Sequence, residues 1–362
     1  MKRVITGMAT AVLVAVLVFP FNVRAVSASN AIMVDAGTGR VLYEKNAHQQ
    51  ALIASTTKIM TALLICEQCN VLDRMRIPAE AVGIEGSSMY LKAGEILTVQ
   101  ELLYGLMLQS GNDAAVALAI YCGGTVEGFV ELMNDKARDL GLTGTHFENP
   151  NGLDGVAHYS TAADMAKLAC YAMEDPIFYQ TVSTQSVKIG DRYLRNHNKL
   201  LWRLEGADGV KTGFTKASGR ILVSSATRQG RRLIAVTMND PNDWLDHETL
   251  LETGFSDYTT QQIVSRGERL GVAEVAGGQA GTVSLLAAED FIYPLAEGET
   301  LQVYLQDPGF VYAPAVAGQP AGYATIFLAD REVGRVPLVY GQTVEQTPAP
   351  KATFWKRLFG GK

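Results

Sequence analysis

An apolar run at helical spacing, opened by a serine and a lysine, most constrains how this chain can fold. Ile59, Met60, Leu63 and Leu64 follow directly after Ser55-Thr56-Thr57-Lys58 and recur at the three- and four-residue spacing of a helix. A helix this apolar is expected to be largely buried, so other elements must pack around it. Its first turn would therefore carry a serine and a lysine into the interior.

Serine and lysine at this spacing suit nucleophilic catalysis. Residues three apart lie on one face of a helix, which predicts that Ser55 Oγ lies beside the Lys58 amine. A serine hydroxyl needs a base at neutral pH, and burial lowers the pKa of a lysine enough for Lys58 to be that base. Taken alone, the same four residues would also fit a helix N-cap followed by a surface lysine.

Two later clusters favour the catalytic interpretation. Ser110-Gly111-Asn112 predicts a turn between helices, where Ser110 can relay a proton toward a leaving amine and Asn112 can bind a substrate amide. Lys211-Thr212-Gly213 falls in a predicted strand. There the lysine adds positive potential, the threonine can bind a carboxylate, and the glycine lets substrate lie against the strand edge. Either cluster alone would also fit an ordinary turn.

The order of predicted elements indicates an α+β fold. A hairpin is predicted over 31–44, helices over 99–108, 113–121, 128–140 and 162–173, strands over 220–226 and 232–238, and a helix over 248–254. Strands at both ends with helices between them predict a layer of helices on an antiparallel sheet, which the N-terminal hairpin can join. After about Tyr258, short alternating runs with glycine-rich turns predict a separate small β-domain.

The two ends of the chain carry targeting signals. A basic start, the apolar run Val12–Phe19 and the small residues of Val26-Ser27-Ala28 predict a signal peptide over 1–28, the alternative being an uncleaved anchor. Prolines mark a linker after residue 347, and the cationic, aromatic segment 352–360 predicts an amphipathic helix on an anionic membrane surface. A frayed tail, or a helix packed on the protein, is the alternative. We therefore expect four regions, 1–28, 29–257, 258–346 and 347–362, in an exported protein held peripherally at the outer face of the cytoplasmic membrane.

Charge, histidines and cysteines exclude several other classes. The formal charge is −6, and residues 1–28 contain three cations and no acid, so their removal would leave −9. An acidic body argues against a nucleic-acid partner. The five histidines have no metal-binding spacing and no serine lies in a G-x-S-x-G motif, so we expect no metal and no cofactor, although the sequence does not exclude a Ser-His-Asp triad. The four cysteines are expected to be free, mostly buried thiols rather than a metal site, a redox motif or a disulfide pair.

Longer segments around these clusters resemble the low-molecular-mass penicillin-binding proteins, the serine-type D-alanyl-D-alanine carboxypeptidases. The matching segments are 53–62, 109–115, 149–154, 160–165 and 208–215, within a region from about Ala31 to Phe255. The β-rich segment and the amphipathic tail resemble the C-terminal domain and membrane anchor of that family, less specifically. The resemblance implies a β-lactamase/transpeptidase-like fold, in which a helical subdomain packs on an antiparallel sheet.

The resemblance also implies the activity and the roles of the residues. The enzyme would remove the terminal D-alanine from peptidoglycan stem pentapeptides through an acyl-enzyme on Ser55, and β-lactams such as penicillins would acylate the same serine and leave slowly. The implied catalytic residues are Ser55, Lys58, Ser110, Asn112 and Lys211. The implied substrate-binding residues are Thr212, Gly213, Phe214 and Thr215, and the backbone N–H groups of Ser55 and Phe214 would form the oxyanion hole.

Two departures from the family pattern and two rival functions follow from the same residues. Phe214 stands where some members have histidine, and the loop 239–244 lacks the arginine with which some members bind the substrate carboxylate. Carboxylate recognition would then rest on Lys211, Thr212 and Thr215.

A β-lactamase on this fold would need a deacylating base such as Glu148, although the segment around it resembles the carboxypeptidase pattern. A catalytically silent cell-wall binding protein would not need the complete set of serines and lysines.

Overall fold

The computed structural model describes residues 26–306 and 309–348 of the 362-residue chain. The predicted amphipathic helix and most of the predicted signal peptide lie outside the described residues. The helices are α1 Lys58–Gln68, α2 Val99–Leu108, α3 Asn112–Gly123, α4 Val126–Asp139, α5 Ala162–Ala172, α6 Pro176–Ser183, α7 Leu200–Arg203 and α8 Asp243–Ser256. The strands of the N-terminal domain are β1 Asn30–Asp35, β2 Val41–Lys45, β3 Arg74–Arg76, β4 Ile96–Thr98, β5 Ser186–Ile189, β6 Arg192–Arg195, β7 Ala207–Thr215, β8 Gly219–Arg228 and β9 Arg231–Met238.

A five-stranded antiparallel sheet in the order β2-β1-β9-β8-β7 organises this domain. The hairpin β1–β2 joins the late strands through β9, so the predicted antiparallel arrangement is confirmed. Strand β1 is buried along its whole length because both faces of the sheet are covered. Ile32 and Val34 pack toward the helical layer, whereas Ala31 and Met33 pack toward α8 on the other face. The strand β7 lies at the edge of the sheet.

Helix α1 is the centre of the helical layer, as its apolar sequence predicts. Its residues from Lys58 to Ile65 are all buried. Helices α2 to α6 contact it or one another around this core. The predicted helices over 99–108, 113–121, 128–140 and 162–173 all form, and a capping box between Thr98 and Glu101 fixes the start of α2.

A second domain follows α8. Its strands are β10 Tyr258–Val264, β11 Arg269–Ala276, β12 Thr282–Ala287, β13 Phe291–Ala296, β14 Leu301–Gln306, β15 Phe310–Tyr312, β16 Pro320–Leu328 and β17 Arg331–Tyr340. Six of them form one sheet in the order β14-β16-β17-β12-β11-β15, and β10 pairs with β13. The domain has a hydrophobic core of its own, which confirms the prediction of a C-terminal β-domain.

Arg40 joins the two domains. Its guanidinium donates to both carboxylate oxygens of Glu299, at 2.6 and 2.7 Å, and lies 5.0 and 5.2 Å from the ring centroids of Tyr258 and Tyr293. The Tyr258 hydroxyl donates to the carbonyl of Leu42. The β2 end of the sheet therefore rests on the second domain, at the opposite edge from β7.

Three local predictions need correction. Ser55 lies in a 3₁₀ turn over Ala54–Thr57, and the α-helix itself begins only at Lys58. Asn112 is the first residue of α3 rather than part of the turn before it. Helix α8 begins at Asp243, five residues before the predicted start at Glu248. The short elements α6, α7, β3–β4 and β5–β6 were not predicted, because runs of three to eight residues carry little periodicity.

The first described residues are part of the fold. Val26 and Ala28 are buried, and the backbone N–H of Ser27 donates to Asp246 at 2.5 Å. The predicted cleavage after Ala28, which stays a prediction, would remove these contacts.

Among the described helices, none is by itself long and apolar enough to span a membrane; α3 and α4 meet the length and composition criteria only as a pair bent by 83°.

Candidate active site

The turn that carries Ser55 is held by the side chains of its own two threonines. Thr56 Oγ1 donates to the carbonyl of Ile53 and Thr57 Oγ1 to that of Ala54, at 2.5 and 2.8 Å. Ala54 has a φ of +44°, a left-handed conformation that a non-glycine residue adopts at a cost. The backbone just before the serine is therefore strained and fixed.

His158 supports this turn without touching Ser55. Its Nδ1 accepts from the N–H of Glu148 at 3.0 Å, so its Nε2 carries the proton and donates to Thr57 Oγ1 at 2.7 Å. Burial lowers the pKa of His158 to about 4, which keeps the ring neutral at physiological pH. His158 is thus a structural residue.

Lys58 is buried among oxygen atoms. Its Nζ lies 3.1 Å from Ser55 Oγ and 2.7 Å from Asn112 Oδ1, and it also donates to the carbonyl of Asn151. Burial and then the charge of Lys211 hold the pKa of Lys58 well below its usual value, against the opposing effect of Asp113. A neutral amine beside the Ser55 hydroxyl is the arrangement that a general base requires.

The Ser110 turn brings the second cluster to Lys58. Ser110 is buried with a φ of +59°, and its Oγ has no hydrogen-bond partner among the described residues. Asn112 is fixed on both sides, because its N–H donates to the carbonyl of Ser87 at 2.7 Å and its Nδ2 to that of Glu85 at 2.5 Å. A strained turn with an unpartnered hydroxyl leaves Ser110 free to bond a substrate atom.

Asp113 organises the loop beside this turn, a role that the sequence analysis missed. Its buried carboxylate accepts hydrogen bonds from Ser88 Oγ and from the N–H groups of Met89 and Leu91, at 2.6 to 3.1 Å. An aspartate directly after a Ser-Gly-Asn motif at a helix start was the available signal. The same side chain opposes the downward shift of the Lys58 pKa.

Strand β7 brings the third cluster to the nucleophile turn. Lys211 is buried, and burial lowers its pKa to about 7. A Cβ atom on Gly213 would lie 3.3 Å from both the Ile53 carbonyl oxygen and the Thr56 nitrogen, so glycine lets the strand approach the Ser55 turn this closely. Phe214 is 64% exposed, and Thr215 Oγ1 donates to Asp154 at 3.1 Å.

The loop from Asn149 to Leu153 closes the site from the other side. Asn149 Oδ1 accepts from the N–H groups of Gly152 and Leu153, and the neighbouring Asn151 carbonyl holds Lys58. Glu148, by contrast, is exposed and its carboxylate lies beside Gly155. The oxygen that contacts Lys58 here belongs to the backbone, so Glu148 does not take the place of the deacylating base that the β-lactamase alternative needs.

Nothing in the described part of the chain builds a histidine triad or a metal centre. His247 forms the one serine–histidine hydrogen bond among the described residues, at 2.5 Å to Ser224 Oγ, and also bonds Thr237 at 2.8 Å. It lies on α8 and is fully buried against the sheet, where burial lowers its pKa to about 3 and substrate has no access. The described residues contain no cluster of three histidine, cysteine or acidic side chains placed to hold a metal, and the four cysteines are free and half-buried.

Arg220 is a second residue that the sequence analysis missed. It pairs with Phe214 across β8 and β7, so it shares a face of the sheet with Thr212 and Phe214. One guanidinium nitrogen, Nη2, donates to both carboxylate oxygens of Asp243 at 2.8 Å, and the side chain is 43% exposed. Its Nε and Nη1 have no partner among the described residues. Only the strand register places this arginine beside the third cluster.

The site therefore joins the three sequence clusters. Lys58 contacts both Ser55 and Asn112, Ser110 lies two residues before Asn112, and Lys211 is close enough for its charge to act on Lys58. Gly213 lies against the nucleophile turn, with Thr212, Phe214 and Thr215 beside it on the edge strand. A cavity of about 900 Å³, lined in part by Asp35 and Arg231, lies away from all of these residues.

Known proteins match both domains. A family model described as D-alanyl-D-alanine carboxypeptidase matches residues 18–242, and one described as the C-terminal domain of penicillin-binding protein 5 matches residues 258–346. The chain is 33% identical to the D-alanyl-D-alanine carboxypeptidase DacF of Bacillus subtilis, over 92% of this chain and 89% of that protein. It is 34% identical to DacD of Escherichia coli, over 88% and 87% of the two chains. The crystal structure of penicillin binding protein 5 from Haemophilus influenzae superposes with a TM-score of 0.77 at 30% identity, over 89% of this chain and 98% of that one.

Proposed function

The chain belongs to the D-alanyl-D-alanine carboxypeptidase family, and on that premise we propose how its site performs the reaction. It is a serine-type D-Ala-D-Ala carboxypeptidase, a cell-wall hydrolase that acts on peptidoglycan peptides and is bound by β-lactams. The observation that carries the proposed mechanism is the 3.1 Å contact of the buried Lys58 amine, whose pKa is held well below its usual value, with Ser55 Oγ.

In the first half of the reaction Ser55 is acylated. Lys58 accepts the hydroxyl proton as Ser55 Oγ attacks the carbonyl of the penultimate D-alanine. The backbone N–H groups of Ser55 and Phe214 stabilise the oxyanion, and a rigid turn places the first of them. Ser110 relays the proton to the leaving amine, assisted by Lys211, and free D-alanine departs.

In the second half water hydrolyses the acyl-enzyme. A hydrolytic water attacks the ester carbonyl, the C–O bond to Ser55 breaks, and the serine recovers its proton from the same lysine network. A β-lactam acylates Ser55 by the same route but keeps its leaving group attached. Glu148 is exposed beside Gly155, and among the described residues no carboxylate is hydrogen-bonded to Lys58 or Ser55, so we expect slow deacylation and a long-lived adduct.

Recognition of the terminal carboxylate rests on the edge strand β7 and on Arg220 of the neighbouring strand β8. Lys211, Thr212 and Thr215 offer a cation and two hydroxyls along the edge strand. Arg220 adds a half-exposed guanidinium with two unpartnered donors on the face that it shares with Thr212. In this chain Arg220 takes the part that an arginine of the 239–244 loop plays in some relatives.

We also propose export and attachment to the membrane surface. The N-terminal segment directs export, and the cationic segment 352–360 holds the enzyme peripherally at the outer face of the cytoplasmic membrane. What supports this is the composition of those two segments together with a family that acts on the cell wall.

Mass spectrometry of the protein after incubation with penicillin and with a D-Ala-D-Ala peptide tests the mechanism. We expect one covalent penicillin per chain, mapped to Ser55, and release of D-alanine from the peptide. Ser55→Ala should abolish both while leaving the melting temperature almost unchanged, because Ser55 lies at the surface of a turn that other side chains hold. An adduct on Ser110, or rapid turnover of a chromogenic β-lactam, would contradict the proposal.

A further inference from the structure

A pocket of about 640 Å³ opens next to the active site. It begins at Gln109, the residue before Ser110, and continues along Arg195, His197 and Lys199. The N–H of His197 donates to the carbonyl of Leu108 at 3.2 Å, which joins this wall to the Ser110 turn. Loss of water contact and then the charge of Lys211 lower the pKa of His197, so Lys211 also lies near the pocket.

The pocket adjoins the two residues that the proposed mechanism assigns to the leaving group. Ser110 is assigned to the leaving amine and Lys211 to the terminal carboxylate, and both neighbour the pocket. A D-alanine leaving group is far smaller than 640 Å³, since a single water already occupies about 30 Å³ of liquid volume and alanine has only six heavy atoms. The pocket therefore has room for more than the alanine methyl group.

The charge of the pocket is positive and largely uncompensated. Arg195, Lys199 and Arg203 line it, together with no aspartate or glutamate among the described residues. Arg203 pairs with Glu248 at 3.1 Å. Neither Arg195 nor Lys199 has a carboxylate within ion-pair distance in the described part of the chain. Two cations are thus available to an anionic group.

Aromatic rings hold these two cations in place. The Arg195 guanidinium lies 4.8 Å from the ring centroid of Trp202, and the Lys199 amine lies 5.7 Å from that of Trp244. Gln109 Nε2 donates to the Arg195 carbonyl at 2.9 Å, which fixes the strand end from which Arg195 extends. Cation–π contact orders each side chain while leaving its N–H donors open to a ligand.

We propose that this pocket is a leaving-group subsite for a second carboxylate, so that the enzyme prefers to release C-terminal D-residues or peptides that carry an additional acid. The inference rests on the proposed function, because it uses the same acyl-enzyme on Ser55. The bond broken is the same amide, and the leaving amine receives its proton through Ser110 as before. Only the group attached to that amine differs.

Three peptides that differ at the last residue test the proposal. Diacetyl-L-Lys-D-Ala-X is prepared with X as D-Ala, D-Gln or D-Glu, and kcat/KM is measured for each. D-Gln and D-Glu have nearly the same shape, so their ratio isolates the charge. We expect D-Glu to exceed D-Gln by about two- to tenfold at low salt, the range for solvent-exposed ion pairs, and the ratio to fall as salt screens them.

Two variants separate the pocket from a general electrostatic effect. In the double variant Arg195→Gln, Lys199→Gln the D-Glu to D-Gln ratio should fall to about one, with the D-Ala peptide cleaved as before. Arg228→Gln is the control, because it likewise removes a cation of the same domain but one that pairs with Glu252 and lies outside the pocket. The control should keep the native ratio.

Specific results would overturn the inference. A D-Glu to D-Gln ratio of about one in the native enzyme, or an unchanged ratio in the double variant, would show that the pocket does not recognise the second carboxylate. If the double variant does not fold, Lys199→Gln alone and the salt dependence of the native ratio decide in its place. Absence of D-alanine release and of a Ser55 adduct in the native enzyme would instead contradict the proposed function.

Discussion

Two buried lysines share one site, and we infer that they differ in protonation state. Lys58 and Lys211 are both fully removed from water, and the charge of one lowers the pKa of the other. Two ammonium groups so placed do not both stay protonated near neutral pH. We propose that Lys58, which contacts Ser55, is the neutral member of the pair and that Lys211, on the edge strand β7, carries the charge below about pH 7.

Replacing Lys58 by arginine tests this division. A guanidinium stays protonated up to a pH above 12, so Lys58→Arg keeps a cation beside Ser55 but removes the base. We expect acylation by penicillin to slow by about 10²–10⁴-fold, the usual contribution of a general base. The measurement is the rate of adduct formation by mass spectrometry. Acylation at the native rate would mean that Lys58 acts through its charge alone.

The pH dependence of KM tests the role of Lys211. The pKa of Lys211 is about 7, so its ammonium is present below that pH and is lost above it. Binding of the terminal carboxylate should therefore weaken as pH rises through about 7, and KM should increase. Lys211→Arg keeps the charge over this range and should remove the alkaline rise in KM, whatever its effect on kcat. A KM that is flat between pH 6 and 9 in the native enzyme would contradict this role.

At the scale of elements, strand β8 offers an internal comparison. Arg220 and Arg228 stand at opposite ends of β8, and each pairs with an acid on α8, Asp243 and Glu252 respectively. We expect Arg220→Gln to raise KM for D-Ala-D-Ala peptides by about three- to tenfold, a modest loss because the guanidinium is half-exposed and already paired. Arg228→Gln should leave KM unchanged at a similar cost in stability. Equal KM values for the two variants would remove Arg220 from carboxylate binding.

The elements also show what a sequence can and cannot predict. The helices α2 to α5 follow from the helical spacing of their apolar residues, and the strands β1, β8 and β9 follow from β-rich runs beside glycine-containing turns. Arg220 and Asp113 were missed since their positions depend on strand register and on a loop folding back over a helix start. The 3₁₀ turn at Ser55 is likewise set by tertiary contact: a Cβ on Gly152 would lie 1.9 Å from the Ala54 carbonyl oxygen, so the loop presses directly on this turn. The conformational preferences of the residues around Ser55 do not predict such a contact.

At the scale of the whole molecule, the tail should decide where the enzyme works. Segment 352–360 contains four apolar side chains, each of which would contribute roughly 1.5–3 kcal/mol if fully buried, and partial insertion and ordering reduce this. Binding to anionic vesicles should therefore be reversible and weakened by salt. Deleting residues 348–362 should release the mature protein from such vesicles without lowering its turnover of a small soluble peptide. Equal vesicle binding by the full and shortened proteins would show that the tail is not the anchor.

The strand order of the main sheet sets when the enzyme becomes active. Strand β1 is among the first parts of the described chain and pairs with β9, Asn30 opposite Met238, so the sheet cannot close until about two hundred further residues have followed it. Pairings this distant in sequence are slow to form, because closing a long loop costs entropy before the contacts repay it. Lys211 and Gly213 lie on β7, which reaches the Ser55 turn only as part of that closed sheet. A chain delivered from its N-terminus therefore carries its nucleophile early but gains hydrolytic activity, and sensitivity to penicillin, only in one late step when the last strands arrive.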